Sequence, residues 1–179
     1  MNAQDVALVY FDVSSLSTGW AVMDGSGKLT AYGTINPTGE MPSRLVQTKT
    51  EVKKLLQQYQ PTFIGIEDMI AFRNGKITKM LNFFTGVVYA ECYEYNGNEV
   101  YMVASTSVKK HMNINSRALK KQGYSSDGIK HLMADEVENR YGVKLDRSNK
   151  RFMDVADAIA GISKLHSIVK SFSIERIKP

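Results

Sequence analysis

The chain has 179 residues, 43% of them hydrophobic, a formal net charge of +5 and one cysteine. This length suits one domain with a sizeable core, so we expect residues 1–179 to form a single domain. The lone Cys92 excludes an internal disulfide and is typical of a reducing compartment such as the cytoplasm. No apolar run approaches membrane-spanning length, so we expect no membrane association. The positive charge favours a polyanionic partner without identifying it.

Hydrophobic periodicity predicts a meander of three strands, followed by helices that alternate with two further strands. The predicted strands span residues 6–12, 18–24, 28–35, 62–67 and 99–103. The predicted helices span about 42–59, 75–94, 106–112, 125–141 and 149–170. Asp24–Gly27 supplies the turn between the second and third strands. This order implies an α/β fold with a mixed sheet covered by helices on both faces.

Two acidic residues end apolar runs that predict buried strands. Asp12 follows the run 6–11, and Glu67 follows the run 63–66. A single acid at a strand end is more often a turn residue or a helix cap than a ligand. If the two strands are neighbours in the sheet, however, the two carboxylates lie close together at one edge.

A second pair of acids lies in the last predicted helix. Asp154 and Asp157 are three residues apart, so both project from one helix face. Asp154 alone would also suit the first turn of a helix. Four like charges gathered at the edge of a core repel one another unless a cation lies between them. Oxygen ligands without thiolates favour Mg²⁺ or Mn²⁺, as in a two-metal phosphodiesterase.

The segments that carry these acids resemble a known family, the RuvC-type Holliday-junction resolvases of the ribonuclease H-like superfamily. They are Phe11–Met23, Ile64–Met69 and Asp154–Ala160, and the likeness spans roughly residues 6–170. The positions that match the family pattern in order are Asp12, Gly19, Glu67, Asp154 and Asp157.

This resemblance implies a five-stranded ribonuclease H-like sheet and an activity in DNA recombination and repair. The implied enzyme is a crossover junction endodeoxyribonuclease that resolves four-way junctions, and other branched DNA, leaving a 5′ phosphate and a 3′ hydroxyl. The four acids would be catalytic and would bind two Mg²⁺ ions per active site, with Mn²⁺ as a substitute.

The chain also departs from the family pattern. Val13-Ser14 replaces the Pro-Gly usual in bacterial members, and Asp68 adds an acid beside Glu67. On a regular strand Asp68 points away from Glu67, which indicates a supporting or surface role. A basic stretch, residues 115–123, precedes the penultimate helix. These features indicate a divergent member, such as a bacteriophage protein acting in the host cytoplasm, and they leave cut-site preference and any helicase partner undetermined.

Basic residues cluster around the predicted acidic site. Any one cluster is more often a solvated surface, but several together indicate contacts with DNA phosphates. One cluster, Arg147–Arg151, leads directly into the acid pair of the last helix. The candidate DNA-contacting cations are Arg73, Lys76, Lys79, Lys109, Lys110, Arg117, Lys120, Lys121, Lys130 and Arg151. The resemblance implies that one lysine after the fifth strand approaches the active site, and Lys109, Lys110 and Lys130 are equal candidates.

Apolar residues suggest two further contacts. Ile70 and Phe72 follow Glu67, where family members place a residue that probes the opened junction; packing against the domain is an equally good interpretation. The two-fold symmetry of a four-way junction favours a homodimer. The second helix is the predicted interface because it has apolar groups on several faces, although burial within the monomer would explain them nearly as well; these groups are Phe83, Phe84, Val87 and Tyr89.

Two other functional classes remain open. One is a different nuclease of the same fold, acting on flaps, forks or RNA–DNA hybrids, since a fold does not define a substrate. The other is a non-catalytic junction-binding protein, against which the complete set of four acids argues.

Overall fold

The computed structural model describes residues 6–68, 75–97 and 100–175, the last three by their backbone alone. The strands are β1 Ala7–Val13, β2 Thr18–Asp24, β3 Leu29–Ile35, β4 Phe63–Asp68 and β5 Val100–Ala104. The helices are α1 Met41–Tyr59, α2 Gly75–Asn96, α3 Ser105–His111, α4 Ser116–Lys121, α5 Ser126–Tyr141 and α6 Phe152–Glu175. All five predicted strands and all five predicted helices are present.

The strands form one mixed sheet in the order β3-β2-β1-β4-β5. β1 is central, antiparallel to β2 and parallel to β4. Its register pairs Phe11 with Ile66 of β4, so the next residues, Asp12 and Glu67, come side by side. Asp12 also pairs with Gly19 of β2. The predicted neighbourhood of the two strand-terminal acids is therefore confirmed by the sheet topology.

Side-chain alternation along β1 separates two hydrophobic cores. Leu8 and Tyr10 pack with residues of α5 and α6 on one face, whereas Val9 and Phe11 pack with α1 and α2 on the other. Helices thus cover both faces, as predicted for this α/β fold. Asp12 continues the alternation of Leu8 and Tyr10, so its carboxyl group lies on the α6 face.

One helix, α4, was not predicted, and the start of another, α6, differs from the prediction. α4 was not predicted because it has only six residues; it begins where the Asn115 side chain accepts a hydrogen bond from the backbone N of Ala118 at 3.1 Å. α6 begins at Phe152 instead of about residue 149. The reason is that the Asn149 side chain accepts a hydrogen bond from the backbone N of Arg151 at 2.9 Å, which holds residues 149–151 in a turn.

Glu99, predicted to open the fifth strand, lies outside the described residues. No helix in the described part of the chain is long and apolar enough to cross a bilayer.

Candidate active site

The four predicted acids line one cavity of about 470 Å³ at the end of the central strands. Asp12 and Glu67 reach it from the adjacent strands β1 and β4, and Asp154 and Asp157 reach it from α6. Asp68 also lines this cavity, and its side chain is exposed, which agrees with the surface role expected for it.

Two glycines allow α6 to lie close to the sheet. A Cβ on Gly19 of β2 would come within 2.0 Å of the backbone oxygen of Asp154. A Cβ on Gly161 of α6 would come within 2.0 Å of the Tyr10 ring on β1. Because neither position has a side chain, the helix backbone rests on the sheet and brings Asp154 and Asp157 over the strand ends.

Burial and neighbouring carboxylates raise the pKa values of two acids, Asp12 and Asp157. Burial, and then the charge of Glu67, hold the pKa of Asp12 well above its ordinary value. A side-chain interaction with Glu67 raises the pKa of Asp12 further. Burial raises the pKa of Asp157 to about 6, although Lys130 and Lys109 oppose this rise. The cluster is therefore short of positive charge.

A serine fixes the orientation of one acid. The hydroxyl of Ser17, in the turn between β1 and β2, donates a hydrogen bond to Oδ2 of Asp154. The turn is held in place because Ser14 donates to the backbone oxygen of Ser17 at 2.7 Å and accepts from the backbone N of Ser17 at 3.2 Å. Arg151 approaches the same Oδ2 at 3.9 Å. Sequence reasoning missed Ser17.

Lysines line the same cavity as the acids. Two of the three candidates for an active-site lysine face it, namely Lys109 of α3 and Lys130 of α5. Their charges partly offset the rise that burial causes in the pKa of Asp157. Lys120 of α4 lines it as well. The third candidate, Lys110, is exposed on α3 and is not part of the cavity lining.

Comparison with known proteins identifies the family of this chain. Residues 8–160 match the family model described as "Crossover junction endodeoxyribonuclease RuvC". The chain belongs to the RuvC family. This confirms the family that the acidic segments resemble.

Curated RuvC proteins match parts of this RuvC-family chain. The crossover junction endodeoxyribonuclease RuvC of Gluconobacter oxydans is 30% identical over 110 residues, which cover 59% of this chain and 65% of that protein. The enzyme of the same name from Magnetococcus marinus is 32% identical over 78 residues, which cover 41% of this chain and 43% of that protein. The matches thus span less than two thirds of these relatives.

The fold is similar to that of a solved RuvC structure over almost the whole chain. T. thermophilus RuvC, solved in complex with a Holliday junction substrate, superposes with a TM-score of 0.71. The alignment covers 93% of this chain and 96% of that chain at 15% identity. This likeness confirms the predicted ribonuclease H-like fold.

The other predicted DNA contacts of this RuvC-family chain fall into three groups. Arg117, Lys120 and Lys121 line a depression beside the acid cavity, with Ser116. Lys76 and Lys79 are exposed on α2. Ile70, Phe72 and Arg73 lie outside the described residues, so their predicted contacts remain predictions.

Arg147, by contrast, has a structural role. It forms ion pairs with Asp135 at 2.7 Å and with Glu138 at 2.5 Å. Its guanidinium lies 5.2 Å from the centre of the Phe152 ring. These contacts tie the turn before α6 to α5. The charge of Arg147, which the sequence analysis grouped with the DNA-contacting residues, is therefore paired within the protein.

The predicted dimer helix, α2, divides into a buried and an exposed face. Phe84 is fully buried in the monomer core, so its assignment to an interface is wrong. Phe83 and Tyr89 are 45% and 40% exposed, and Val87 is half-buried. Tyr89 stacks on the exposed Tyr93, with ring centres 6.4 Å apart.

The chemistry of the acidic cavity suits a hard divalent cation. The four predicted acids offer only oxygen ligands, which Mg²⁺ and Mn²⁺ prefer. The pKa values of Asp12 and Asp157 are raised, so added positive charge would favour the ionised form of both carboxylates. Among the described residues, no three Asp, Glu, His or Cys side chains already form a metal-binding group. Binding by these acids would therefore require their side chains to rotate toward a common centre.

Proposed function

We propose that this RuvC-family chain is a metal-dependent endonuclease that resolves four-way DNA junctions by paired phosphodiester hydrolysis. The observation that carries this proposal is the meeting of four acids and three lysines in one cavity. The acids would bind metal, and the lysines would attract the phosphate backbone. The curated relatives, named crossover junction endodeoxyribonucleases, and the neighbour solved with a Holliday junction support this substrate.

We assign metal binding to Asp12, Glu67, Asp154 and Asp157. Two Mg²⁺ ions bound there would polarise the phosphate and lower the pKa of an attacking water. The protein prepares this arrangement by holding Asp154 through Ser17 and by placing Asp12 and Glu67 on adjacent strands. The expected products are a 5′ phosphate and a 3′ hydroxyl.

Lys109 and Lys130 have a second role in this proposal. Both stand close enough to influence the ionisation of Asp157. A phosphate entering a cavity lined by five carboxylates meets strong repulsion, and two fixed ammonium groups reduce this repulsion. They also remain able to stabilise negative charge that develops on the phosphate oxygens during cleavage.

We further propose that the active protein is a two-fold dimer. Residues at helical spacing along α2 form an exposed apolar stripe, consisting of Phe83, Gly86, Ala90 and Tyr93. Tyr89 extends this stripe through its stack with Tyr93. A symmetric interface buries such a stripe against its own copy and supplies two sites for cuts on opposed strands.

The proposal is tested with end-labelled DNA substrates in Mg²⁺ and in EDTA. The substrates are four-way junctions, three-way junctions, flaps, RNA–DNA hybrids and linear duplex. The proposal predicts symmetric paired cuts in the four-way junction, dependent on Mg²⁺, and little cleavage of linear duplex. Preferred cleavage of flaps or hybrids would assign the chain to another nuclease class. Tight junction binding without cleavage in Mg²⁺ or Mn²⁺ would make it a junction-binding protein.

A further inference from the structure

The short helix α4 carries a cluster of exposed positive charge. Arg117, Lys120 and Lys121 are all exposed on it. Within the described ranges, none of the three forms an ion pair with a carboxylate. Together with Ser116 they line a surface depression of about 500 Å³.

This depression continues into the acidic cavity. Ser116 and Lys120 line both, so Lys120 stands between the acids and the two outer cations. The Ser116 hydroxyl is shielded from solvent and has no hydrogen-bond partner in the described part of the chain. A shielded hydroxyl without a partner is costly, which favours a ligand that accepts a hydrogen bond there.

The position of α4 is fixed by its ends. Asn115 caps its first turn, and the backbone N of Gln122 donates to the oxygen of Ala118 at 3.1 Å. Gly123 then takes a positive φ of 91°, which turns the chain toward α5. The cations therefore project from a defined helix.

We infer that α4 forms a second phosphate-binding subsite, which holds a backbone phosphate next to the scissile one on the strand being cut. The lining of the depression consists of three cations and a hydroxyl, which suits a phosphate, and among the described residues it includes no aromatic side chain for stacking a base. Lys120 lies between the two phosphates and acts on both. This inference rests on the proposed nuclease function. It adds that α4 determines which phosphate of the DNA strand lies at the acidic cavity.

The test removes phosphate charges one at a time. Four-way junctions carry a single neutral methylphosphonate at successive positions flanking the cut. Affinity is measured in EDTA, where cleavage is not expected, over a range of salt concentrations. The proteins are the wild type, Arg117→Ala, Lys121→Ala, Lys120→Ala and the control Lys53→Ala. Lys53 is exposed on α1, on the opposite face of the sheet.

We expect one flanking methylphosphonate to weaken wild-type binding roughly tenfold. The same substitution should have little further effect on Arg117→Ala or Lys121→Ala, because the contact is already lost. Each of these variants should also lower the slope of log affinity against log salt by about 1. Lys120→Ala should in addition slow single-turnover cleavage in Mg²⁺, whereas Lys53→Ala should match the wild type in every measurement.

Two failures are distinguishable. If wild-type protein cuts the unmodified junction but the α4 variants keep the salt slope and the methylphosphonate profile of the wild type, the second subsite is excluded and the nuclease function stands. If wild-type protein does not cut the unmodified junction in Mg²⁺ or Mn²⁺, the proposed function itself fails.

Discussion

The backbone oxygen of Asp154 lies directly over Gly19, where a Cβ would come within 2.0 Å of it. Gly19 is also the β2 partner of Asp12 in the sheet. One glycine therefore sets the distance between two of the proposed metal ligands, because any side chain there would lift α6 away from β1. This explains in physical terms why a glycine stands at the start of β2.

Gly19→Ala should lower both stability and activity. The added methyl group meets backbone instead of a flexible side chain, so the helix must move, at a cost of about 1–3 kcal/mol. The displacement also moves Asp154 and Asp157, so cleavage should fall by more than the loss of folded protein explains. Urea unfolding and single-turnover cleavage measure the two effects. Gly75→Ala is the control, since a Cβ there has no atom within 4 Å. Wild-type stability and rate in Gly19→Ala would show that α6 does not rest on this position.

Metal-free protein should lose stability as the pH rises. The raised pKa of Asp157, about 6, means that the folded state holds this proton more tightly than the unfolded chain. Asp12 acts in the same direction. The stabilising contribution of Asp157 is complete below about pH 4 and is lost as the pH rises through 6, on the order of 1–3 kcal/mol. Urea unfolding in EDTA at a series of pH values measures the loss.

A variant separates this effect from other titrations. The pKa of His111 is lowered, so the folded state binds this proton less tightly than the unfolded chain does. Its titration therefore makes the folded state more stable as the pH rises over the same range, in wild type and variant alike. The difference between the wild type and Asp157→Asn therefore isolates the acid cluster, and the pH-dependent loss should be smaller in the variant. Mg²⁺ at pH 7.5 should restore stability to the wild type by binding the folded state, and less so to the variant. Identical pH profiles for the two proteins would contradict the raised pKa of Asp157.

Phe83→Glu should produce a folded monomer. The Phe83 side chain is 45% exposed in the isolated chain, so the substitution leaves the core intact but places a charge in the proposed interface. Light scattering should show half the wild-type mass, with unchanged circular dichroism. Paired cuts should become independent single cuts. Lys53→Ala, on the neighbouring helix α1, should remain dimeric. A wild-type protein that is monomeric on junction DNA and still makes paired cuts would exclude the dimer.

The sequence predicted those parts of the site that depend on local pattern. Asp12 and Glu67 each follow a strand-like apolar run, and Asp154 and Asp157 have helical spacing. Such patterns predict the strand or helix that carries each acid, and the sheet order then brings the ends of β1 and β4 together. The family resemblance supplied the fold as a whole, because it linked the three acidic segments in one order.

The contacts that the sequence did not reveal depend on tertiary packing. Ser17 and Asp154 are 137 residues apart, and no local pattern connects them. The choice among the candidate lysines depends on how α3 and α5 are rotated about their axes, which brings Lys109 and Lys130 to the cavity but leaves Lys110 outside its lining. α4 was too short for a helical period to be visible, although Asn115 and Gly123 carry the sequence signals of its two ends.

The most direct test of this account is junction cleavage by proteins that lack one acid. The variants are Asp12→Asn, Glu67→Gln, Asp154→Asn and Asp157→Asn, each of which keeps the side-chain shape and removes one charge. In saturating Mg²⁺, single-turnover cleavage of a four-way junction should fall at least about 100-fold in each variant. Binding in EDTA should persist or tighten, because a negative charge facing the DNA is lost. Cleavage near the wild-type rate by any one variant would remove that residue from the site, and cleavage by all four would contradict the proposed metal-dependent active site.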